Sequence, residues 1–529
     1  MKVQQTPNLQ LNSKNKTQQD TNFKGGEVLT QFLNFLDTNQ TIGAAAVDAC
    51  CMGIPRTTVD FTRGPDAGFE TMRREFSTNI NNVMVGPYGA IAALLLASAL
   101  NNQFDVKANR MFISNESLEI LSQLREKHGD LNKSANLNNY LEDIFKNTKA
   151  FNPHFAEHAK INENGWVNID SATQKDVVKK FAQTLKENDF SKESRAYLKS
   201  AIAHSTGSEK NLKLEHGKLT SHCSLDTLID NIYKTSKAFM NSKVNETFKN
   251  GNLADNSFVN AMKRLNKRTA ILGLAIGAIT GASLQPVNVY ITKKKTGKTG
   301  FVGVDGREQD NSTSFKLLKY GVGVVGALAA LRTIGKFKSA ELMQKLQFKG
   351  FLPTLNQLKW VYGATIVSRI FSSRDKNELR ETSIKDTLGF ASWLILGGFV
   401  SKFVAFGLQS MDKFKNDKFI RYNENENGKG GFNKLIKSSI VSREEVLHTA
   451  LKKVGISTIK DGKAMTFKEM LQAAAKHAPE ARTKVKYLGL IQFAGYLYSG
   501  LALGVGIPKL NIAITKHFQK KQKETETKK

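Results

Sequence analysis

Residues 269–292 read TAILGLAIGAITGASLQPVNVYIT, 24 consecutive positions without a charged side chain. About 20 apolar residues in a helix cross a hydrocarbon core near 30 Å thick, so this stretch is long enough to span a bilayer. Its glycines strengthen that reading. Gly273, Gly277 and Gly281 recur every four residues, which in a helix gives a flat face that lets a neighbouring helix approach closely. In a water-exposed helix each would cost up to about 1 kcal/mol against alanine with no return.

The same pattern recurs elsewhere. Residues 487–508, YLGLIQFAGYLYSGLALGVGIP, are 22 uncharged positions with Gly500 and Gly504 four apart. Residues 83–100 are 18 uncharged positions, and residues 387–411 are broken only by Lys402, whose long stem can carry its charge to the headgroups. Two further runs, 320–331 and 360–368, are short and fit re-entrant, interfacial or buried segments. The expected fold is therefore all-α, a helical membrane protein with about four and up to six membrane helices plus soluble helical domains. Both counts are even, which puts the two termini on the same side. The rival is a large soluble protein with buried hydrophobic helices, and the glycine spacing weighs against it.

Composition agrees with a minority of very apolar residues in an otherwise soluble chain. The 529 residues carry 77 basic and 47 acidic side chains, a net charge of +30. That charge attracts nucleic acid, anionic lipid or acidic proteins, although the excess of Lys over Arg also fits the codon usage of an AT-rich genome. Cys50, Cys51 and Cys223 form no paired framework. Residues 1–24 are polar and contain no apolar core of a cleavable signal peptide, which leaves targeting to the chain's own helices.

Seven segments follow from composition and periodicity. Residues 1–24 are a disordered polar tail. Residues 25–106 contain no lysine, four arginines and eight acids, a separate unit ending in the first expected span. Residues 107–262 read as a soluble helical domain: Leu137, Tyr140, Leu141, Ile144 and Phe145 share a helical face, and Ser171 with Gln174 reads as a capping box. Few segments alternate with period two, so little sheet is expected. Residues 263–411 hold membrane helices with basic loops. Residues 412–486 are a second soluble helical segment, with capping boxes at Ser442/Glu445 and Thr466/Glu469. Residues 487–515 hold the last membrane helix, and 516–529 are a basic tail that the positive-inside rule makes cytoplasmic.

Several motifs bear on chemistry. In IPRTTVDFTRGPDAGFETMRREF, residues 54–76, Arg56, Arg63, Arg73 and Arg74 sit among Asp60, Asp66, Glu70 and Glu75. Arginine binds carboxylate or phosphate through a planar fork, so these residues either contact anionic headgroups or form an internal network with the acids already present. Lys293, Lys294 and Lys295 follow a span and fit a headgroup contact worth about 1 kcal/mol per charge. They lack the interleaved aromatics or arginines that nucleic acid would want. HFAEH at 154–158 matches HxxEH, in which His154 and His158 would hold zinc and Glu157 would activate water. No third ligand is singled out, and a polar helix start is the plainer reading. GKT at 297–299 lacks the first glycine of a phosphate loop, and GVGVVG at 321–326 has no preceding strand.

The 54–76 segment, together with QPVNVYITKKKTG and GFVG in 285–303, resembles a family of uncharacterised bacterial multi-pass membrane proteins. The resemblance implies a membrane protein and no known activity. The reading is a protein of the bacterial inner membrane that acts by structure or interaction rather than as an enzyme. It has no cofactor, no catalytic residue and no metal, and no nucleic acid is expected. Its partners are the bilayer, anionic headgroups and a second copy through the glycine faces. A metal-dependent hydrolase using HxxEH and a pore-forming or toxin-like inserting protein are the alternatives.

Overall fold

The computed structural model describes residues 29–36, 40–152, 166–249, 252–303, 308–335, 339–392, 396, 398–411, 419–422 and 431–527. An N-terminal unit comes first: α1 (29–36), α2 (Gln40–Val47), α3 (Ile54–Phe61), α4 (Pro65–Val83), α5 (Val85–Leu96) and α6 (Ser98–Phe104). Asp48–Gly53 joins α2 to α3 without a break, through the wide i→i+5 turn of a π-helix. There follow α7 (Asn115–His128), α8 (Ser134–Lys146), β1 (Thr148–Phe151), β2 (Trp166–Asn168), α9 (Ser171–Glu187), α10 (Lys192–Thr206), β3 (Leu212–His216), β4 (Leu219–Cys223), α11 (Leu225–Phe239) and α12 (Ser242–Glu246). The third group is α13 (Ser257–Thr296), α14 (Thr313–Ile334), α15 (Ser339–Leu346), α16 (Leu355–Phe371), α17 (Lys376–Phe390) and α18 (Phe399–Gln409). Next come β5 (Ile420–Arg421), α19 (Gly431–Lys437), β6 (Ser439–Ile440), α20 (Arg443–Lys453), β7 (Ile459–Lys460), β8 (Lys463–Ala464) and α21 (Phe467–His477). Finally α22 (Pro479–Tyr498) continues through π-helical turns at Ser499–Gly506 into α23 (Ile507–Thr527).

Helices α7–α12 and a small sheet form a globular platform. Its core takes Leu118, Leu121 and Leu124 from α7, the expected stripe Leu137, Tyr140, Leu141, Ile144 and Phe145 from α8, and Val177, Phe181 and Leu185 from α9. Fully burying such a side chain contributes about 1.5–3 kcal/mol. The sheet is antiparallel in the order β2-β1-β3-β4, with Leu212 opposite Cys223 and Leu214 opposite Ser221. Its strands are three to five residues long, too short for a period-two pattern to stand out. The cap of α9 is Asp170, whose side chain accepts from Thr173 N–H, one residue before the expected Ser171. The expected capping boxes at Ser442/Glu445 and Thr466/Glu469 are both present. The 419–478 region packs on the platform: Ser200 donates to Thr458, and Asn152 to Thr449.

One long helix rises from this platform and another from the 419–478 region packed on it. Phe258, Val259, Met262 and Leu265 of α13 lie in the platform core. The same helix then carries the whole 269–292 run, some 60 Å in all at 1.5 Å per residue. Val485, Leu488 and Ile491 of α22 belong in the same way to the core of the 419–478 region. Three helices are long and apolar enough to cross a membrane, Ser257–Thr296, Thr313–Ile334 and Pro479–Lys521. A fourth span results if α4 and α5, bent by 49° at their junction, count together.

Three expected runs change shape. Residues 83–100 are not one helix: α5 ends at Leu96, α6 begins at Ser98 after Ala97, and α5 itself meets α4 at a 49° bend. Residues 387–411 are broken: α17 ends at Phe390, Gly398 takes a φ of 69°, and only the 11-residue α18 follows. Conversely, residues 320–331 sit inside the 22-residue α14, whose first turns carry Lys316 and Lys319 and so hid its length.

The ends of the described bundle are fixed by contacts between distant segments. Helix α1 lies at the platform end, where Asn34 donates to Glu444 and the Leu33 carbonyl accepts from Arg443. Helix α23 lies at the far end, where Asn511 donates to the carbonyl of Glu381. The Glu381 carboxylate there meets Arg63, which reaches Gly303 beyond the end of α13. Residues 33–34 and Asn511 therefore lie at opposite ends of the helical bundle. The bundle also contains 40–61, a continuous helix in which Asp48, Arg56 and Asp60 interrupt the apolar pattern.

Candidate functional site

The arginine-rich segment 54–76 folds as α3 and α4, an antiparallel pair turned at Gly64, whose φ of 128° favours glycine. Pro65 opens α4, where its missing N–H costs nothing. The turn brings Arg56, Arg63 and Arg74 against α16, α17 and the π-helical turns before α23. Arg56 is 1% exposed. Its Nη1 donates to Glu75 at 3.2 Å and its Nε to the Leu503 carbonyl at 3.2 Å. Arg63 donates to both Glu381 oxygens, at 2.8 and 3.0 Å, and to the Gly303 carbonyl. Arg74 lies 3.2 Å from Glu75 and 3.9 Å from Asp60. Arg73 turns to α13, donating to Asn288 at 2.8 Å and Thr292 at 2.7 Å.

The other half of this seam comes from residues that sequence reasoning missed. Arg374 donates to Glu70 at 2.5 and 3.2 Å and to Glu378 at 2.9 and 3.0 Å. Arg369 pairs with Asp386 at 2.9 Å and donates to Thr78. Lys385 lies 3.5 Å from Glu75. The signal was present in 369–386, where Arg369, Arg374, Glu378, Glu381, Lys385 and Asp386 match the density of charge in 56–75. Six cations thus face six acids, Asp60, Glu70, Glu75, Glu378, Glu381 and Asp386. The seam balances its own charge.

The cavity within the seam, lined by Asp60, Arg63, Glu70, Arg74, Glu381 and Lys385 among others, offers about 20 Å³. That is room for about one water molecule, far below the several hundred Å³ of a small-molecule site. The arrangement ties α3, α4, α16, α17 and α23 in one register and leaves no space for a substrate. Breaking one buried partner would strand a charge at about 3–5 kcal/mol.

The glycine positions lie against helices of the same chain. A Cβ on Gly273 would stand 2.9 Å from Gly89 Cα, and one on Gly277 3.0 Å from Val361 Cγ2. Gly281 faces Thr365 and Asn81. A Cβ on Gly504 would stand 2.5 Å from the Cys51 carbonyl, whereas one on Gly500 would stand 3.7 Å from it. Lys293, Lys294 and Lys295 are exposed at the far end of α13. His154, Glu157 and His158 lie outside the described residues, as do 1–28. Among the described residues no group of three or more His, Cys, Asp or Glu side chains is placed to hold a metal ion.

A second buried cluster joins α20 to the platform. Glu445, besides capping its own helix, accepts from Ser208 Oγ at 3.0 Å, Glu209 N–H at 2.9 Å and Arg421 at 2.6 Å. Burial alone would raise its pKa, but Arg421 and the backbone donors outweigh burial and bring it down to about 2. Beside it, burial and Glu209 push Glu444 up to about 7. Lys199 stands 3.9 Å from Glu209 and 3.8 Å from Glu444. His448, 3.6 Å from Glu209 and with its ring 6.4 Å from that of His204, is pushed down to about 4 by burial. These groups fasten two segments that are more than 200 residues apart in sequence.

Comparison with known proteins finds no matching family model, no matching curated protein and no matching solved structure.

Proposed function

We propose that this chain is an integral protein of the bacterial inner membrane, holding a soluble platform on one membrane face and acting by structure or interaction rather than by catalysis. The observation that carries the membrane reading is the outward direction of apolar side chains on the three long helices. Ile279, Val325 and Leu501 are 70%, 67% and 67% exposed, and Ile271, Val287, Leu328 and Phe493 join them. A soluble protein rarely leaves so continuous an apolar surface in water. Lipid is the solvent that such a surface fits.

The non-catalytic reading is supported by the seam, which is ion-paired throughout and has room for about one water. The Lys293–Lys295 cluster and Lys516 and Lys520 in α23 lie at the end remote from the platform, and by the positive-inside rule that end is cytoplasmic. The platform and α1 then lie on the other face. Alkaline carbonate extraction tests the membrane reading. The protein should stay in the pellet and leave it only with detergent, and full release by carbonate alone would sink the proposal.

A further inference from the structure

We propose that a groove where the platform meets α13 binds the anionic headgroup of a glycerophospholipid, an inference that rests on the membrane reading above. The first turns of α13 form one wall, with Lys263, Arg264 and Lys267. Gln344 and Gln347, from α15 and the turn after it, form the other. The groove holds about 620 Å³, within the range of small-molecule sites. It is therefore a space of a different order from the one-water cavity of the charge seam.

The charges of the groove are one-sided. Its walls carry three cations and no carboxylate. Two acids stand near it, and both are engaged: Glu119 pairs with Lys263 at 2.7 Å, and Glu116 accepts from Gln344 at 2.5 Å. Arg264 and Lys267 are exposed and form no ion pair among the described residues. In the seam, by contrast, every arginine that faces a carboxylate is paired. An arginine fork held beside a lysine suits a phosphodiester, which offers two equivalent oxygens.

Helix geometry distinguishes a lipid from a free phosphate. Side chains three, four and seven positions apart share a helix face. Arg264 and Lys267 therefore stand above Ile271, which is half exposed, with Ile279 two turns further along the same stripe and 70% exposed. Thr269 begins the uncharged run only two residues after Lys267. A phosphate seated in the groove would place attached acyl chains along the apolar stripe. The ligand that fits both parts is an anion with hydrocarbon tails.

The test uses the full-length chain purified in detergent. It is titrated with phosphatidylglycerol or phosphatidylcholine, and bound lipid is read by native mass spectrometry. The expected result is preferential binding of phosphatidylglycerol. The Arg264→Ala/Lys267→Ala variant should bind it about thirtyfold more weakly, from roughly fivefold per juxtamembrane cation. Both side chains are exposed and unpaired, so the variant should keep the melting temperature of the parent. The control Lys294→Ala/Lys295→Ala, at the other end of α13, should retain the parent's affinity. Equal binding by the groove variant and the parent would overturn the site, as would an equal loss in the control. Displacement of the lipid by millimolar inorganic phosphate would also overturn it, by making the ligand a free anion. Failure of the membrane reading would look different, because the protein would then remain soluble when detergent is removed.

Discussion

Replacing Arg374 with methionine removes a cation of the seam that is bonded to two buried carboxylates at once. Its side chain makes four hydrogen bonds of 2.5–3.2 Å, two to Glu70 and two to Glu378. All three side chains are buried, at 2–3% exposure. In the variant both carboxylates lose their arginine partner in the interior, and the Glu378 carboxylate keeps the backbone N–H of residue 374. Summing net values of about 1.5–3 kcal/mol for each charged bond would overcount, because the four act as one unit. The measured cost of removing one partner from a buried pair, about 3–5 kcal/mol, is the appropriate figure. At roughly 2–4 °C per kcal/mol for a domain of this scale, the apparent melting temperature should fall by about 10 °C. The assay is thermal unfolding in detergent at fixed pH and scan rate, since membrane proteins commonly unfold irreversibly. The triple variant Arg374→Met, Glu70→Gln, Glu378→Gln removes the stranded charges and should recover most of the loss. A single variant that melts within about 2 °C of the parent, or a triple variant no better than the single, would refute the reasoning.

Other outcomes follow from single distances and from burial. Gly273→Ala should cost about 1–3 kcal/mol in the same assay, because its Cβ meets the backbone of Gly89 at 2.9 Å, whereas Gly500→Ala, with its nearest neighbour at 3.7 Å, should be near neutral. Glu445→Gln weakens the tie to Arg421, and hydrogen exchange should then accelerate at the amides of 208–210 and 419–421. As pH falls from 6.5 to about 4, the unfolded chain protonates His448 while the folded chain does not, so stability is lost through that window. The contribution of Glu444, whose folded carboxyl holds its proton up to about 7, runs the other way and is lost as pH rises from 4.5. The difference between the parent and His448→Gln isolates the histidine, and a variant with the same acid sensitivity as the parent would show that His448 is not its source.

The parts of this fold that were legible in sequence are those set by a single local rule. The 24 uncharged residues of 269–292 mark a span, and the stripe of α8 marks a core face. Ser442/Glu445 and Thr466/Glu469 mark helix starts. What escaped is what depends on distant partners. The helix over 40–61 carries Asp48, Arg56 and Asp60, charges that argue against burial until Glu75, Asn79 and Arg74 are seen beside them. The acids near Arg56 and Arg63 were visible, but Glu381 lies 318 residues from Arg63, and no spacing rule connects them. Residues 387–411 failed because local hydropathy does not report a break such as Gly398.

Lipid exposure of the long helices is the central claim, and spin-label accessibility in a reconstituted bilayer tests it most directly. Single labels at Ile279, Val325 and Leu501 are introduced into a chain in which Cys50, Cys51 and Cys223 have been replaced. Each should collide readily with molecular oxygen, which concentrates in hydrocarbon, and poorly with a water-soluble nickel chelate. A label at Lys294 should show the reverse. Greater access to the nickel chelate than to oxygen at Ile279, Val325 and Leu501 would mean that these faces meet water, and the membrane account would be contradicted.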